Sequence, residues 1–177
     1  HKTDAGALVL NIRDDEGLRG AYSQIITNTK NYAPLAKIHG VVVQETVTAL
    51  EEVIIGVKMD AQLGPVIIFG SGGTLVELAG DVAIRVCPIH SPDAEEMVNE
   101  AKIGRLLRGY RGKRRGDLSS LIDILVNVSD LAMNLSNCIE EIDINPLAVL
   151  PEGQGVKALD ALVVLGNSFN TESYEIP

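Results

Sequence analysis

Residues 52–70 read EVIIGVKMDAQLGPVIIFG. Two runs rich in β-branched residues, 52–58 and 65–70, flank a short polar stretch that ends in Gly64-Pro65. Such runs, bounded by glycine, proline and aspartate, predict two strands joined by a short hairpin connection at 61–64. Outward from this hairpin, residues 40–46 (GVVVQET), 75–78 and 82–86 are expected to be further strands, as is an opening segment at 7–12 (ALVLNI). Between them, residues 14–33 carry Leu18, Ala21, Tyr22, Ile25 and Ile26 at spacings of three and four, the signature of an amphipathic helix. Asp14, Asp15 and Glu16 stand where the helix dipole favours negative charge, and Pro34 ends the segment.

Downstream, Ser91-Pro92-Asp93 predicts a helix start, with the helix running to about residue 107. A second helix is expected over 117–135, where Leu118, Leu121, Ile122, Leu125, Val128, Leu131, Ala132 and Leu135 form one stripe. Two closing strands, 138–150 and 156–165, are joined by a turn at Pro151-Glu152-Gly153-Gln154-Gly155. Runs of antiparallel strands with segregated helices define an α+β fold. The expected architecture is a mainly antiparallel sheet with helices packed on one side. Residues 1–166 form the domain and residues 167–177 a flexible tail.

The 177-residue chain is 46% hydrophobic, which excludes a disordered chain. Its net charge of −9 argues against nucleic acid as a partner. No apolar run approaches a membrane span and no signal peptide opens the chain, so a cytoplasmic protein is expected. Cys87 and Cys138 lack metal or disulfide spacing and read as small buried hydrophobes. His39 and His90 have no acidic partner at ligand spacing.

The chemistry concentrates in residues 140–147, EEIDINPL. Alternation along a strand puts Glu141, Asp143 and Asn145 on one face and Ile142, Ile144 and Pro146 on the other. Two carboxylates and an amide offer hard oxygen ligands of the kind that Mg²⁺ accepts beside water and phosphate. A hairpin centred near Gly153 would return Asp160, an isolated charge in an apolar strand, to the neighbourhood of Asn145 and Leu147. The expected Asn145–Asp160 side-chain oxygen separation is within about 6 Å, short enough to share one cation. An edge strand with its acidic side in water is the competing reading.

Three other segments carry weaker signals. Gly70-Ser71-Gly72-Gly73-Thr74 follows a strand but precedes more β-structure, so it is neither a Walker loop nor a dinucleotide fingerprint. It reads as a bulge, a tight turn or an anion-binding amide cluster. His1-Lys2-Thr3-Asp4 packs an imidazole, an ammonium, a hydroxyl and a carboxylate together. Arg105, Arg108, Arg111, Lys113, Arg114 and Arg115 form the one basic run of an acidic chain. That run is either a solvated loop or a dock for phosphate, a cofactor tail or an acidic partner surface.

Taken together and in order, HKTDAGALVLNI, VVVQETV, residues 51–89, GYRG and EIDINPLAV…VKALDA resemble the ATP-grasp domain of NDP-forming (ADP-forming) acyl-CoA synthetases. That domain is related to the β subunit of succinyl-CoA synthetase. The resemblance covers residues 1 to about 165. It implies an ATP-grasp fold with an incomplete N-terminal subdomain, because the family carries a nucleotide-binding lysine on an earlier segment. It also implies Mg²⁺ and ATP or ADP as cofactors. The implied partner is a CoA-binding ligase subunit or domain bearing a first phosphorylated histidine, within an oligomeric enzyme.

By resemblance, His1 is the second phosphorylated histidine and Asp143 the acid that holds it near the nucleotide. Asn145 and Asp160 match metal ligands, Gln44 and Glu45 lie beside the adenine, Glu52 lies near the ribose and phosphates, and Arg85 is a phosphate contact. The implied activity is an acid–thiol ligase, inactive as a fragment. A regulatory or subunit-interaction domain without catalysis of its own is the alternative.

Overall fold

The computed structural model describes residues 5–72, 81–112 and 114–166. It divides into two compact units, His1–Val47 and Thr48–Pro177. The first unit contains helix α1 (Asp15–Tyr32), whose start is fixed by Asp14: its carboxylate accepts the Gly17 N–H at 2.7 Å. Such a cap satisfies an amide that has no partner within the helix.

The strands expected at 7–12 and 40–46 do not form. Neither segment is on a strand, Asn11 has a left-handed φ of 61°, and Val42 and Val43 are 82% and 71% exposed. β-Branched composition measures fitness for a pleated, half-buried surface, and within the described part of this unit no neighbouring strand supplies one.

Among the described residues, the second unit is a six-stranded antiparallel sheet with helices on one face. Its strands are β1 (Glu51–Asp60), β2 (Gly64–Ser71), β3 (Val82–Val86), β4 (Ile139–Val149), β5 (Val156–Ala158) and β6 (Ala161–Leu165). The order is β3-β2-β1-β4-β5, with β6 also paired to β4. The hairpin over 52–70 forms as expected, with Asp60 opposite Gly64 at its tip. The Asp60 carboxylate accepts the Gln62 and Leu63 N–H groups there.

On the covered face, Val53, Ile55, Val57, Ile67 and Phe69 lose nearly all contact with solvent. They pack against α2 (Ser91–Glu100), α3 (Ile103–Leu107) and α4 (Leu118–Asn134) through Met97, Leu107, Leu121 and Leu125.

The single helix expected over 91–107 is two. Ala101 turns to extended backbone and α3 begins after it. Gly104 is the physical reason the two pieces stack so tightly. A Cβ at that position would lie 1.8 Å from the Val98 carbonyl oxygen. The expected strand at 75–78, the His1-to-Asp4 segment and the tail lie outside the described residues.

One buried carboxylate ties the helices to the β4–β5 turn. Asp117, 6% exposed, caps α4 by accepting the Ser120 N–H at 3.1 Å and also accepts the Gly155 N–H at 2.8 Å. The Ser120 and then the Gly155 N–H groups hold its pKa below the ordinary value of 3.8. An acid with a depressed folded pKa stabilises above its unfolded value and loses that contribution as pH falls through the folded one. Asp117→Ala should therefore cost about 1–3 kcal/mol near neutral pH. The difference from the unsubstituted chain should shrink below about pH 3.8. Denaturant melts at pH 7 and pH 3 test this; an equal loss at both would refute it.

Candidate functional site

The site is built on β4, the strand between β1 and β6. Its register against β1 slips once: Ile144 faces Ile55 and Leu147 faces Val53, so Asn145 and Pro146 together oppose Ile54. This is a β-bulge, an extra residue inserted into one strand. Unbroken alternation would turn Leu147 to the polar face; the bulge resets the parity, and Leu147 is 2% exposed in the core. Glu141 and Asp143 remain on the face opposite the helices.

The neighbouring chain answers the bulge. β5 ends at Ala158 and β6 begins at Ala161, so the break between them falls beside Asn145-Pro146. The Asn145 N–H donates to the Asp160 carbonyl at 3.1 Å, and the Leu159 N–H donates to the Pro146 carbonyl at 2.9 Å. Asn145 and Asp160 thus stand directly across from one another, on adjacent segments, as the hairpin reading anticipated.

Asp143 has Gly56 on one side and Leu162 on the other. Gly56 contributes no side chain, and even a Cβ there would meet nothing nearer than 3.8 Å. The Asp143 Oδ1 atom is buried and has no hydrogen-bond partner among the described residues. Burial, and then the charges of Glu141 and Asp160, push the Asp143 pKa above its ordinary value. A half-buried carboxylate with one orphaned oxygen and two like-charged neighbours is costly, and a cation or a protonated imidazole relieves it.

The donor set suits a divalent cation only in part. No group of three or more His, Cys, Asp or Glu side chains among the described residues is arranged to hold a metal. Asn145 and Asp160 together can offer an amide and a carboxylate oxygen. That suits an ion such as Mg²⁺, which keeps waters and phosphate oxygens in its shell.

The other sequence-derived residues distribute as follows. Glu52, exposed at the start of β1, lines a cleft of about 840 Å³ together with Ser71, Gly72, Asp81, Lys102 and Arg105. The Asp81 carboxylate accepts the Lys102 N–H there at 2.9 Å. Arg85 lies opposite Ile67, on the helix-covered face, and pairs with Glu100 and, at 3.6 Å, with Glu96 of α2. The expected phosphate contact therefore has its guanidinium turned to the opposite face from Asp143. Gln44 and Glu45 belong to the first unit and are not on a strand. His1 lies outside the described residues. Gly56 was missed as a site residue, although an isolated glycine inside EVIIGVK marks a place where something approaches the strand closely.

Comparison with known proteins agrees with this architecture. The ATP-grasp domain family matches residues 1–165. The chain is 39% identical over 165 residues to the beta subunit of the ADP-forming acetate–CoA ligase II of Pyrococcus furiosus, covering 93% of this chain and 70% of that protein. It is 40% identical over 166 residues to the ADP-forming acetate–CoA ligase I of Archaeoglobus fulgidus, covering 94% of this chain but only 24% of that one.

Among solved structures, it superposes on the dinucleotide-forming acetyl-coenzyme A synthetase 1 of Candidatus Korarchaeum cryptofilum with a TM-score of 0.80 at 36% identity. That match covers 94% of this chain and 71% of the other, whose crystal holds coenzyme A and Mg-AMPPCP with its phosphohistidine segment pointing towards the nucleotide-binding site. The antiparallel sheet, its one-sided helices and these matches place the chain in the ATP-grasp domain family, alongside the beta subunits of ADP-forming acetyl-CoA synthetases.

Proposed function

We propose that this chain supplies the nucleotide-binding, phosphoryl-transferring part of an NDP-forming acyl-CoA ligase. The overall reaction is acyl-CoA + ADP + phosphate ⇌ acid + ATP + CoA. The observation that carries the proposal is Asp143: a carboxylate with a buried oxygen that has no partner among the described residues, opposite Gly56.

In this reading His1 is the phosphoryl carrier. In the ATP-forming direction an ADP β-phosphate oxygen attacks the phosphorus of phosphorylated His1. The N–P bond breaks, its electron pair returns to the imidazole nitrogen, and a new O–P bond completes ATP. Asp143 accepts a hydrogen bond from the other ring nitrogen, which fixes the tautomer and stabilises the charged imidazole. Positioning and charge neutralisation dominate such transfers. Asn145 and Asp160 would hold Mg²⁺, which supplies charge neutralisation at the β- and γ-phosphates when bound. Gln44 and Glu45 take the adenine end of the nucleotide and Glu52 the ribose and phosphates.

A partner subunit or domain would bind CoA and carry the first phosphorylated histidine. A reducing, cytoplasmic setting fits two unpaired cysteines, one of them buried. No helix among the described residues is long and apolar enough to cross a membrane.

The metal assignment is tested in the complete enzyme with Mn²⁺ as a paramagnetic reporter. Asn145→Ala and Asp160→Asn should each weaken Mn²⁺ binding in the presence of ADP by about tenfold or more. Metal-free ADP affinity should stay within about twofold. Unchanged Mn²⁺ affinity in both variants would remove these residues from the metal site.

A further inference from the structure

We propose that the basic loop at 105–115 is a docking surface for an acidic face of another polypeptide in the assembled enzyme. The proposal rests on the reading above only in that a further polypeptide part exists. Residues 102–115 hold Lys102, Arg105, Arg108, Arg111, Lys113, Arg114 and Arg115, seven of the chain's 15 basic residues, and no acid. The remainder carries eight basic residues against 24 acidic ones, a net −16. A chain so rich in carboxylates could neutralise this loop internally, as it neutralises Arg85 with Glu96 and Glu100. Yet Arg108, Arg111, Arg114 and Arg115 are exposed and form no ion pair among the described residues.

The two ends of the segment are nonetheless held in place. Leu107, fully buried, anchors its start. The Gly116 N–H donates to the Leu107 carbonyl at 2.8 Å and the Glu152 N–H to the Arg115 carbonyl at 3.0 Å, which closes the far end. Arg111 has φ of 52°, in the left-handed region that costs a side-chain-bearing residue roughly 1–2 kcal/mol. Backbone strain of that kind persists where surrounding structure enforces it, and it gathers at functional positions.

The identity of the partner follows from direction and charge. Arg108 reaches back to the Asn99 side chain on α2, while the Arg111 guanidinium lies 5.1 Å from the centre of the Tyr110 ring. Arg105 lines the cleft beside Glu52. Guanidinia that diverge in this way cannot close on a single phosphate, but they can meet a spread of carboxylates. Five of the chain's eight arginines stand here, and arginine is the side chain that pairs with carboxylates in a fixed two-pronged geometry. A nucleic acid would be repelled by the −16 of the remaining surface. A polypeptide needs only a local acidic face.

The test is arginine footprinting with phenylglyoxal, read by mass spectrometry, on this 177-residue chain and on the complete enzyme. Arg108, Arg111, Arg114 and Arg115 should react readily in the chain alone and about tenfold more slowly in the assembly. A triple variant, Arg108→Glu with Arg111→Glu and Arg114→Glu, should weaken association with the rest of the enzyme, supplied as a separate polypeptide, by about tenfold or more. That loss should be largest at low salt, while Mg-ADP affinity of the assembled enzyme is unchanged.

Equal reactivity in both states, or association untouched by the triple variant, would overturn the proposal. So would protection of the isolated chain by millimolar inorganic tripolyphosphate, which would mark a small-anion site instead. If Mg-ADP binding is absent but association still depends on the loop, the docking surface stands and the catalytic reading falls.

Discussion

Replacing Asp143 with Asn should make the protein more stable and far less active. The wild-type carboxylate carries a raised pKa because burial, Glu141 and Asp160 all disfavour its charge. For an acid raised above its unfolded value near 3.8, the stabilising contribution exists at low pH and is lost as pH rises through the folded value. At neutral pH the ionised Asp143 is therefore a net burden on folding. Asparagine keeps the shape and removes the charge, so the isolated chain should gain about 0.5–1 kcal/mol at pH 7, a figure kept small because water reaches part of this residue. The gain should disappear below pH 3.8, where the wild-type group is protonated in both states.

Activity moves the other way. Without the negative charge nothing pairs with the cationic ring of the phosphorylated histidine or holds its free N–H in place for transfer, and ATP formation by the complete enzyme should fall about 10²–10³-fold. Thermal melts at pH 7 and pH 3.5, together with turnover assays, check both halves. A destabilised Asp143→Asn protein, or one of wild-type turnover, would show that Asp143 serves the fold rather than the reaction.

The largest effect on folding is expected at Gly104. Alanine there would place its Cβ 1.8 Å from the Val98 carbonyl oxygen and 2.9 Å from the carbonyl carbon. Both atoms are backbone, so no side-chain rotation relieves the clash. α3 must move off α2, and Ile103 and Leu107 leave a core in which Leu107 has no exposed surface. The cost should be about 3 kcal/mol or more, which lowers the melting temperature by roughly 6–12 °C in a chain of this size. Gly20, inside α1, is the contrasting case: nothing lies within 4 Å of where a Cβ would stand, so alanine should be neutral or stabilising there by up to about 1 kcal/mol. Equal effects at the two glycines would refute the close approach of α2 and α3.

What was legible in the sequence was whatever local pattern determines. The β1–β2 hairpin, the two long helices and the β4–β5 turn all follow from periodicity and punctuation by glycine and proline. The backbone adjacency of Asn145 and Asp160 was legible by counting back from a turn near Gly153, whereas the single closing strand expected over 156–165 is split into β5 and β6 beside the bulge.

The bulge itself was not legible, since alternation cannot count an inserted residue; only Pro146, a poor ladder donor inside a strand, hinted at it. Residues 7–12 and 40–46 have strand composition, but no pairing strand is present among the described residues of their own unit. Arg85 shows the limit for single charges: its register opposite the buried Ile67 sets its face, where two glutamates of α2 meet it, and neither the register nor these partners can be read from the charge alone.

The central claim is that phosphoryl groups pass through His1 to the nucleotide beside Asp143. It is tested most directly by incubating the complete enzyme with labelled phosphate, acyl-CoA and ADP, and then locating the label. The wild type should carry label on His1 and release labelled ATP. The His1→Ala enzyme should still form acyl phosphate and still label the partner histidine, but it should make no labelled ATP. Labelled ATP from His1→Ala at a near wild-type rate would contradict the account.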